Sequence, residues 1–448
     1  MKTNWQTKKL DDLCEKITDG THITPKYKPT GVPFLSVKNL TDGFIDFSNT
    51  RFISLEEHNQ LTKKYKPEKE DILYTKVGTT GIARIVDTDQ EFSIFVSIAL
   101  LKIKHNIIYN RYLEHFLNSP IAREQAKKRT RGTANKNLVI TDIKEIIISF
   151  PEFIPAQHRI VKILDEAFSS IAKAKENAEK NLQNARELFQ SVLSQAVIGE
   201  LTKEWREEQG EEKTKSDTDL KEIHLRIRGR EKKTSRSEET TGHGTITKAL
   251  PKEWQFTSIE SLFNLIDYRG KNPPRTKNGR RLITAKNIKM GYLSDEPITF
   301  VSEETYRKWM VRGFPKPDDI FFVTEGHTMG FVALNTRNDD FALAQRTITL
   351  QPIVSFSTKY FFYFMMSFYF QSLVKLNATG AAAVGMKASK FRSLPLPFPS
   401  FAEQQRIVAK LDALSAETKK LETIYQQKLD DLDELKKSAL EKAFSGDL

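Results

Sequence analysis

The stretch "AQHRIVKILD" at Ala156–Asp165 returns as "EQQRIVAKLD" at Glu403–Asp412, and this pair decides the architecture. Comparing Arg159 with Arg406 gives an offset of 406 − 159 = 247 residues. The offset holds downstream without a gap. Leu182 meets Leu429, Leu193 meets Leu440 and Gly199 meets Gly446, so that "AVIGEL" faces "AFSGDL". No proline interrupts either segment between its Gln-x-Arg start and that glycine. The pattern predicts one long helix per copy, about 39 residues and roughly 58 Å long, stopped by a glycine at the left-handed position after the helix end.

The upstream sequence repeats as well, at an offset of 282 − 34 = 248. There "FLSVKNLTDGFI" (Phe34–Ile45) faces "LITAKNIKMGYL" (Leu282–Leu293), "RFISLEE" faces "TFVSEET", and "DILYTKVG" faces "DIFFVTEG". Trp5 and Trp254 mark the two starts. Short β-rich runs such as "DILYTKV", "SIALLKIK" and "RTITLQPI" alternate with Gly- and Asp-rich turns and a few helical stretches, which reads as α+β. The chain is therefore a tandem repeat. A first domain spans 1–150 and a first long helix lies within 151–201. A charged linker follows over 202–248, then a second domain over 249–398 and a second long helix within 399–448. The linker is rich in both charge signs and nearly free of aromatics, the composition of a solvated tether, although its "RIRGREKK" core could make a basic contact.

Apolar residues in the second helix fall at Ile407, Leu411, Leu414, Leu421, Tyr425, Leu429, Leu432 and Leu435. Those of the first are Ile160, Leu164, Ala167, Ile171, Ala174, Ala178, Leu182, Ala185 and Leu188. Both make a stripe for packing on another helix, and the first is richer in alanine, which permits close approach. The two helices are expected to pack on each other. The approximate two-fold symmetry of the repeat favours an antiparallel pair.

The chain has 448 residues, 39% of them apolar, with 29 Phe, so it holds enough core for several domains. A net charge of +12 makes a polyanion a plausible partner. The single cysteine, Cys14, excludes an intrachain disulfide framework and fits a cytoplasmic location. No N-terminal apolar stretch resembles a signal peptide, and no membrane is expected as partner. The greasiest run, "YFFYFMMSFYF" at Tyr360–Phe370, is too short to span a bilayer and reads as a buried helix.

The order of domain, "QxRIV…LD" helix ending in "GxL", domain, and the same helix again resembles the specificity subunit of type I restriction–modification systems. The resemblance covers essentially the whole chain. It implies two target recognition domains, each reading one half of a bipartite double-stranded DNA target. It implies helices that set the spacing and dock two methyltransferase (modification) subunits, with Gln157, Arg159, Gln404 and Arg406 as partner-binding candidates. Restriction/translocase subunits would join through the assembled complex. S-adenosylmethionine, ATP and magnesium would sit on those partners, and no cofactor on this chain.

Catalytic motifs are absent. "NPPR" at Asn272–Arg275 lacks the aromatic that an amino-methyltransferase would stack on a flipped base, and no glycine-rich cofactor loop follows an early strand. There is no Gly-x-x-x-x-Gly-Lys-Ser/Thr, and Asp318 and Asp319 lack the acidic and lysine followers of a nuclease site. The eight His show no metal-ligand spacing.

The richest DNA-contact candidate in the first domain is "REQAKKRTRGTANKN", Arg123–Asn137. From it come Lys127, Lys128, Arg129, Arg131, Asn135 and Lys136. The matching stretch "LNATGAAAVGMKASKFRSL" offers Lys387, Lys390 and Arg392. Phosphate contact suits such clusters, and a merely solvated loop is the alternative. The glycine-containing loops "TKVGTTG" and "TEGHTMG" offer Lys76, Thr79, Thr80, His327 and Thr328 to base edges, or are structural hairpins. Lys38 and Asn39 recur as Lys286 and Asn287, which favours a shared role as a turn or a backbone contact. A further basic loop carries Arg269, Lys271, Arg280 and Arg281. Two other functions fit the same charge: a structural adaptor that binds DNA only electrostatically, and an inactive methyltransferase relative.

Overall fold

The computed structural model describes residues 4–41, 43–132, 136–214, 250–268, 270, 272–353, 356–380 and 384–446. It forms two compact units: unit 1 is Met1–Lys180 with Tyr425–Leu448, and unit 2 is Asn181–Ile424. Neither unit coincides with one sequence repeat. Each takes its domain and the start of one long helix from one repeat, and the end of the other long helix from the other repeat.

Unit 1 contains a four-stranded antiparallel sheet in the order Cys14–Asp19, Ile98–Ile103, Ile72–Thr75, Ala83–Ile85. A three-stranded sheet follows the order Arg51–Ile53, Val32–Leu35, Ser93–Ile94, its last pair parallel. Trp5–Lys9 pairs with Ile147–Pro151 and so closes the domain just before the long helix. Unit 2 repeats this topology strand for strand. Its sheets are Phe263–Asp267, Thr347–Pro352, Ile320–Val323, Val332–Leu334 and Phe300–Val301, Arg280–Ile283, Phe341–Leu343, and Gln255–Ser258 pairs with Pro395–Phe398. The register exposes one insertion. Ile72 faces Ile85 while Ile320 faces Leu334, so the second hairpin loop is longer by one residue and the offset becomes 249 beyond it (334 − 85).

The long helices run Ile154–Val197 and Phe401–Ser445, 44 and 45 residues, over a turn longer than the pattern suggested. Gly199 follows the first at φ 81° and Gly446 the second at φ 93°, the left-handed conformation expected of both. Within each unit the two helices pack antiparallel. In unit 1, Ile160 and Leu164 share a core with Leu440, Ala443 and Phe444, and Lys175 ion-pairs with Asp433. In unit 2, Leu193 and Val197 share a core with Ile407 and Leu411, and Arg186 meets Glu422 at 2.9 Å.

Three stripe positions are corrected: Leu188, Leu421 and Leu435 are exposed. A straight helix advances at 3.6 residues per turn and drifts off a strict heptad. The seam therefore passes to Phe189 and Thr418, both buried, one or three positions away. The run "YFFYFMMSFYF" is also corrected from one helix to two, Thr358–Met366 and Phe368–Leu376. Ser367 sits extended between them and its hydroxyl accepts from the Phe370 amide. Ser119 breaks the matching helix of unit 1 in the same way before Pro120.

The charged stretch after the first long helix begins as a helix, Lys203–Thr214. The "RIRGREKK" segment lies outside the described residues. Cys14 is buried and its thiol is pushed up to about 12 by burial, so it behaves as a small core residue. Among the described residues, no helix is long and apolar enough to cross a membrane.

Candidate nucleic-acid interface

Three sequence candidates that lie far apart in unit 1's sequence come together in space. The hairpin loop after Ile72–Thr75 is clamped by the loop that ends the basic stretch: the Gly78 amide donates to the Lys136 carbonyl (2.9 Å), and the Leu138 amide donates to the Lys76 carbonyl (2.7 Å). Thr80 Oγ1 lies 3.2 Å from Thr130 Oγ1. The short 3₁₀ turn Val37–Leu40 joins them, its Val37 amide donating to Ser97 Oγ at 3.1 Å while Ser97 also accepts from Lys76 N at 2.9 Å. Gly78, at φ 79°, lets the hairpin tip turn back on itself. Arg131 and Asn137 bridge to each other through both backbone bonds.

On this surface Lys38, Thr79, Lys127, Lys128 and Lys136 are exposed. Among the described residues, Lys38, Lys127 and Lys136 have no carboxylate within ion-pair distance. Lys128 is 3.8 Å from Glu124 and Arg131 is 3.1 Å from Asp142. Arg129 donates to the carbonyls of Gln125 (3.2 Å) and Glu145 (3.3 Å).

Lys76 behaves differently. It is buried, and its ammonium is 2.7 Å from Asp19. Its place is under the hairpin, where it props the loop. Asn39 is buried too. Its amide donates to the carbonyls of Asp46 (3.0 Å) and Asn49 (3.2 Å), and its Oδ1 accepts from the Ser36 amide (2.9 Å). Asn287 repeats this with Ser294 and Pro297 (both 3.1 Å) and the Thr284 amide (3.0 Å). The shared asparagine thus has a turn role, while Lys38 and Lys286 beside it stay exposed.

Unit 2 builds the same frame with other side chains. The Gly326 amide donates to Val384 (3.0 Å) and the Met386 amide to Thr324 (2.8 Å). Gly385 packs closely here, where a Cβ would stand 3.3 Å from the Glu325 side chain. Thr324 replaces Lys76, Val384 replaces Lys136, and His327 is exposed at the tip with Thr328 beside it. Lys387 and Arg392 are exposed and Lys390 half-buried around the short helix Ala388–Arg392. Arg280 is tied to Glu303 (2.7 Å) and lies over the Tyr306 ring, and Arg281 donates to the Asp295 carbonyl, so neither is a free cation. Asn135, Arg269 and Lys271 lie outside the described residues.

Sequence reasoning missed Arg346. Its backbone is left-handed at φ 75°, rare for a side chain of this size, and its Nε is 3.3 Å from Glu325 in the same cluster. The signal was available: the matching position in unit 1 is Ser97, so one loop carries an arginine that its twin lacks.

Two partner-binding candidates are also corrected. Gln157 and Gln404 are fully buried. Gln157 accepts from Tyr109 N (2.7 Å) and donates to Ile107 and Pro151 carbonyls (3.2 and 2.9 Å). Gln404 accepts from Ser357 N (3.0 Å) and donates to the Pro399 carbonyl (3.0 Å). Each fastens its helix start to the domain, and a buried amide that spends its groups on backbone has none left for a partner. Arg159 and Arg406 are exposed, Arg406 over the Trp205 ring at 5.0 Å.

The model for the type I restriction modification DNA specificity domain matches this chain twice, over residues 2–181 and 251–430. The chain belongs to that family. Among relatives, the EcoBI specificity subunit of Escherichia coli is 32% identical over 178 residues, 40% of this chain and 37% of that one. The EcoKI specificity subunit of Escherichia coli (strain K12) is 24% identical over 205 residues, 44% of each. The chain thus spans less than half the length of these two relatives. In fold, it is similar over its whole length to a chain solved in work on complex assembly and conformational transition of the type I R-M system (TM-score 0.69, 15% identity, 100% of both chains). It is also similar to the HsdS subunit from Thermoanaerobacter tengcongensis (TM-score 0.53, 16% identity, 99% and 97% covered). The two family domains are α+β, and the hairpin, turn and basic loop described above fall inside the matched residues of both.

Proposed function

We propose that this chain is the non-catalytic DNA-specificity subunit of a type I restriction–modification complex, each unit reading one half of a bipartite target. The observation that carries this is the pattern of sameness and difference at the interface. The frame is kept between units, down to the Asn39 and Asn287 turns, while the side chains it presents differ: Lys136 against Val384, Thr79 against His327, Ser97 against Arg346. Two readers of different half-sites need a common scaffold and unlike contact groups. Exposed lysines at positions 38, 127, 128 and 136, with Lys286, Lys387 and Arg392, would hold phosphates. Thr79, His327, Thr328 and Arg346 would face base edges.

The long helices would set the gap between half-sites and dock two modification subunits, with restriction/translocase subunits joining the assembly. Methyl transfer and cleavage would belong to those partners, which would bring S-adenosylmethionine, ATP and magnesium. The test is competition binding in the assembled complex, with the methylated sites mapped to name the target. A bipartite duplex should be bound roughly a thousandfold more tightly than one with scrambled half-sites. Equal affinity for both would make the chain an electrostatic adaptor.

A further inference from the structure

Each unit has a cleft where the domain meets the helix pair, and the two clefts differ in how their charges are paired. In unit 1 a cleft of about 550 Å³ is lined by Arg84, Glu114, His115, Arg123, Asp165 and Lys436, among others. In unit 2 the matching cleft, about 850 Å³, has Met290, Phe189, Phe362 and Tyr363 in its lining, and of its cations Arg186 and Lys359 are paired with Glu422 (2.9 Å) and Asp412 (2.8 Å), which leaves Lys419. The exchange is position for position. Phe362 stands for Glu114, Tyr363 for His115 and Phe189 for Lys436. Gln371 stands for Arg123, and Ala333 faces Phe321 as Arg84 faces Leu73.

Three cations of the unit 1 cleft have no ion-pair partner, with Glu114 acting on Arg84 and Asp433 on Lys436 only at longer range. Among the described residues, Arg84, Arg123 and Lys436 have no carboxylate within ion-pair distance. Arg84 donates through Nη1 to the Ala83 carbonyl (2.7 Å), and its Nε is buried with no partner. Arg123 reaches only the carbonyl and side-chain oxygen of Asn118 (3.2 and 3.3 Å). Lys436, exposed at the rim, stands 4.9 Å over the Phe168 ring. Desolvation, and then the charges of Lys175, Arg84 and Arg123, hold its ammonium below the usual range, against the pull of Asp433.

None of the cleft's carboxylates is within ion-pair distance of these three cations. Asp165 is 3.0 Å from both Arg111 and His115, and Glu114 accepts from the Ile85 amide at 3.1 Å. Asp87, also in the lining, pairs with none of the three. Three like charges held around one concavity repel each other, and an anion entering between them would relieve that.

We propose that the unit 1 cleft receives an acidic side chain of the protein that docks on the long helices. This rests on the proposed function and adds a charge-dependent anchor at unit 1 that unit 2 lacks. A protein carboxylate fits better than a DNA phosphate for two reasons. The wall is made in part by long-helix residues Asp165, Phe168, Lys436 and Leu440, and of the basic stretch Arg123–Asn137 only Arg123 lines it, with Lys127, Lys128, Arg129, Arg131 and Lys136 outside the lining. Leu435, exposed beside Lys436, adds the apolar neighbour typical of protein interfaces.

The test is titration of the modification subunit onto the full chain at about 0.1 M and about 0.5 M salt. The wild type should show two binding events, one of them salt-sensitive. The variant Arg84→Ala/Arg123→Ala/Lys436→Ala should lose at least about tenfold in that event, with a flattened salt response, and keep the other. Lys436→Met alone, at the exposed rim, should shift the same event in the same direction and guards against misfolding of the triple variant. Unchanged partner affinity with weakened DNA binding would give the cleft to a phosphate and overturn the inference. Unchanged affinity for both would overturn it too. A wild type that binds no modification subunit would remove the proposed function itself, and this inference with it.

Discussion

The two units share every strand pairing of their main sheets but lock the start of the long helix in different ways. In unit 2, Glu403 is buried at the second helix start. Its carboxylate accepts from Trp254 Nε1 (2.9 Å) and Thr202 Oγ1 (2.5 Å) and ion-pairs with Arg206. That network ties the helix start to the helix Lys203–Thr214 and to the glycine turn, since Arg206 Nη2 also donates to the Gly199 carbonyl (2.6 Å). In unit 1 the position is Ala156, and Trp5 instead packs beside Gly446, where a Cβ would stand 3.5 Å from its ring. One fold thus tolerates a charged lock and an uncharged one at the same joint. A buried ion pair gives little net stability over an apolar filling, but removing one partner strands the other.

The largest expected effect follows from that asymmetry. Glu403→Ala should cost about 4 kcal/mol in unit 2, because Arg206 and the Trp254 indole lose their acceptor in a buried site. Hydrogen exchange should report the loss in unit 2 amides and leave unit 1 unchanged. A cost under about 1 kcal/mol would mean the network behaves as a surface pair.

A smaller effect sharpens the claim that each unit borrows a helix end. Phe444, from the second repeat, sits edge-on to Tyr112 and Phe116 of the first domain at 5.2 and 5.0 Å. Phe444→Ala should destabilise unit 1 by about 3 kcal/mol. Val197→Ala, its counterpart in unit 2, should cost about half as much for its smaller volume. Exchange that quickens only in unit 2 after Phe444→Ala would contradict the exchange of helix ends.

The smallest effects separate props from contacts within unit 1. Lys127→Ala and Lys136→Ala should each lower the slope of log affinity against log salt by about 0.9 with little change in stability. Lys76→Ala should do the reverse, destabilising the hairpin by taking the ammonium from Asp19, which keeps only His22 at 3.3 Å, and holding the slope constant. A slope that falls with Lys76→Ala would return that lysine to the DNA surface.

Much of this was legible because repetition is visible without physics. The Arg159 and Arg406 helices, their glycine ends and the paired domains follow from comparing the chain with itself. Their antiparallel packing was favoured on symmetry and is what the structure has. What hid was anything depending on which side of a residue faces inward. Leu188, Leu421 and Leu435 look like seam residues until 3.6-fold drift turns them outward. Gln157 and Gln404 look like docking groups because polar residues on a helix are usually exposed, yet each bonds backbone of its own domain, including Tyr109 and Ser357 nearly fifty residues earlier. Lys76 looks free in a basic loop because its partner, Asp19, is distant in sequence. The convergence of the hairpin, the Lys38 turn and the basic loop was equally invisible, since backbone bonds such as Gly78 to Lys136 leave no mark in composition. Arg346 could have been found by comparing it with Ser97 at the matching position, although its left-handed backbone shows only in the structure.

The most direct test of the two-reader account is to replace residues 1–150 with the matching domain of a family member of different specificity. The methylated sequences are then mapped in cells carrying the full system. The account predicts that one half of the bipartite target changes, while the other half, read by unit 2, stays as it was. A change in both halves, or in neither with the complex still active, would contradict it.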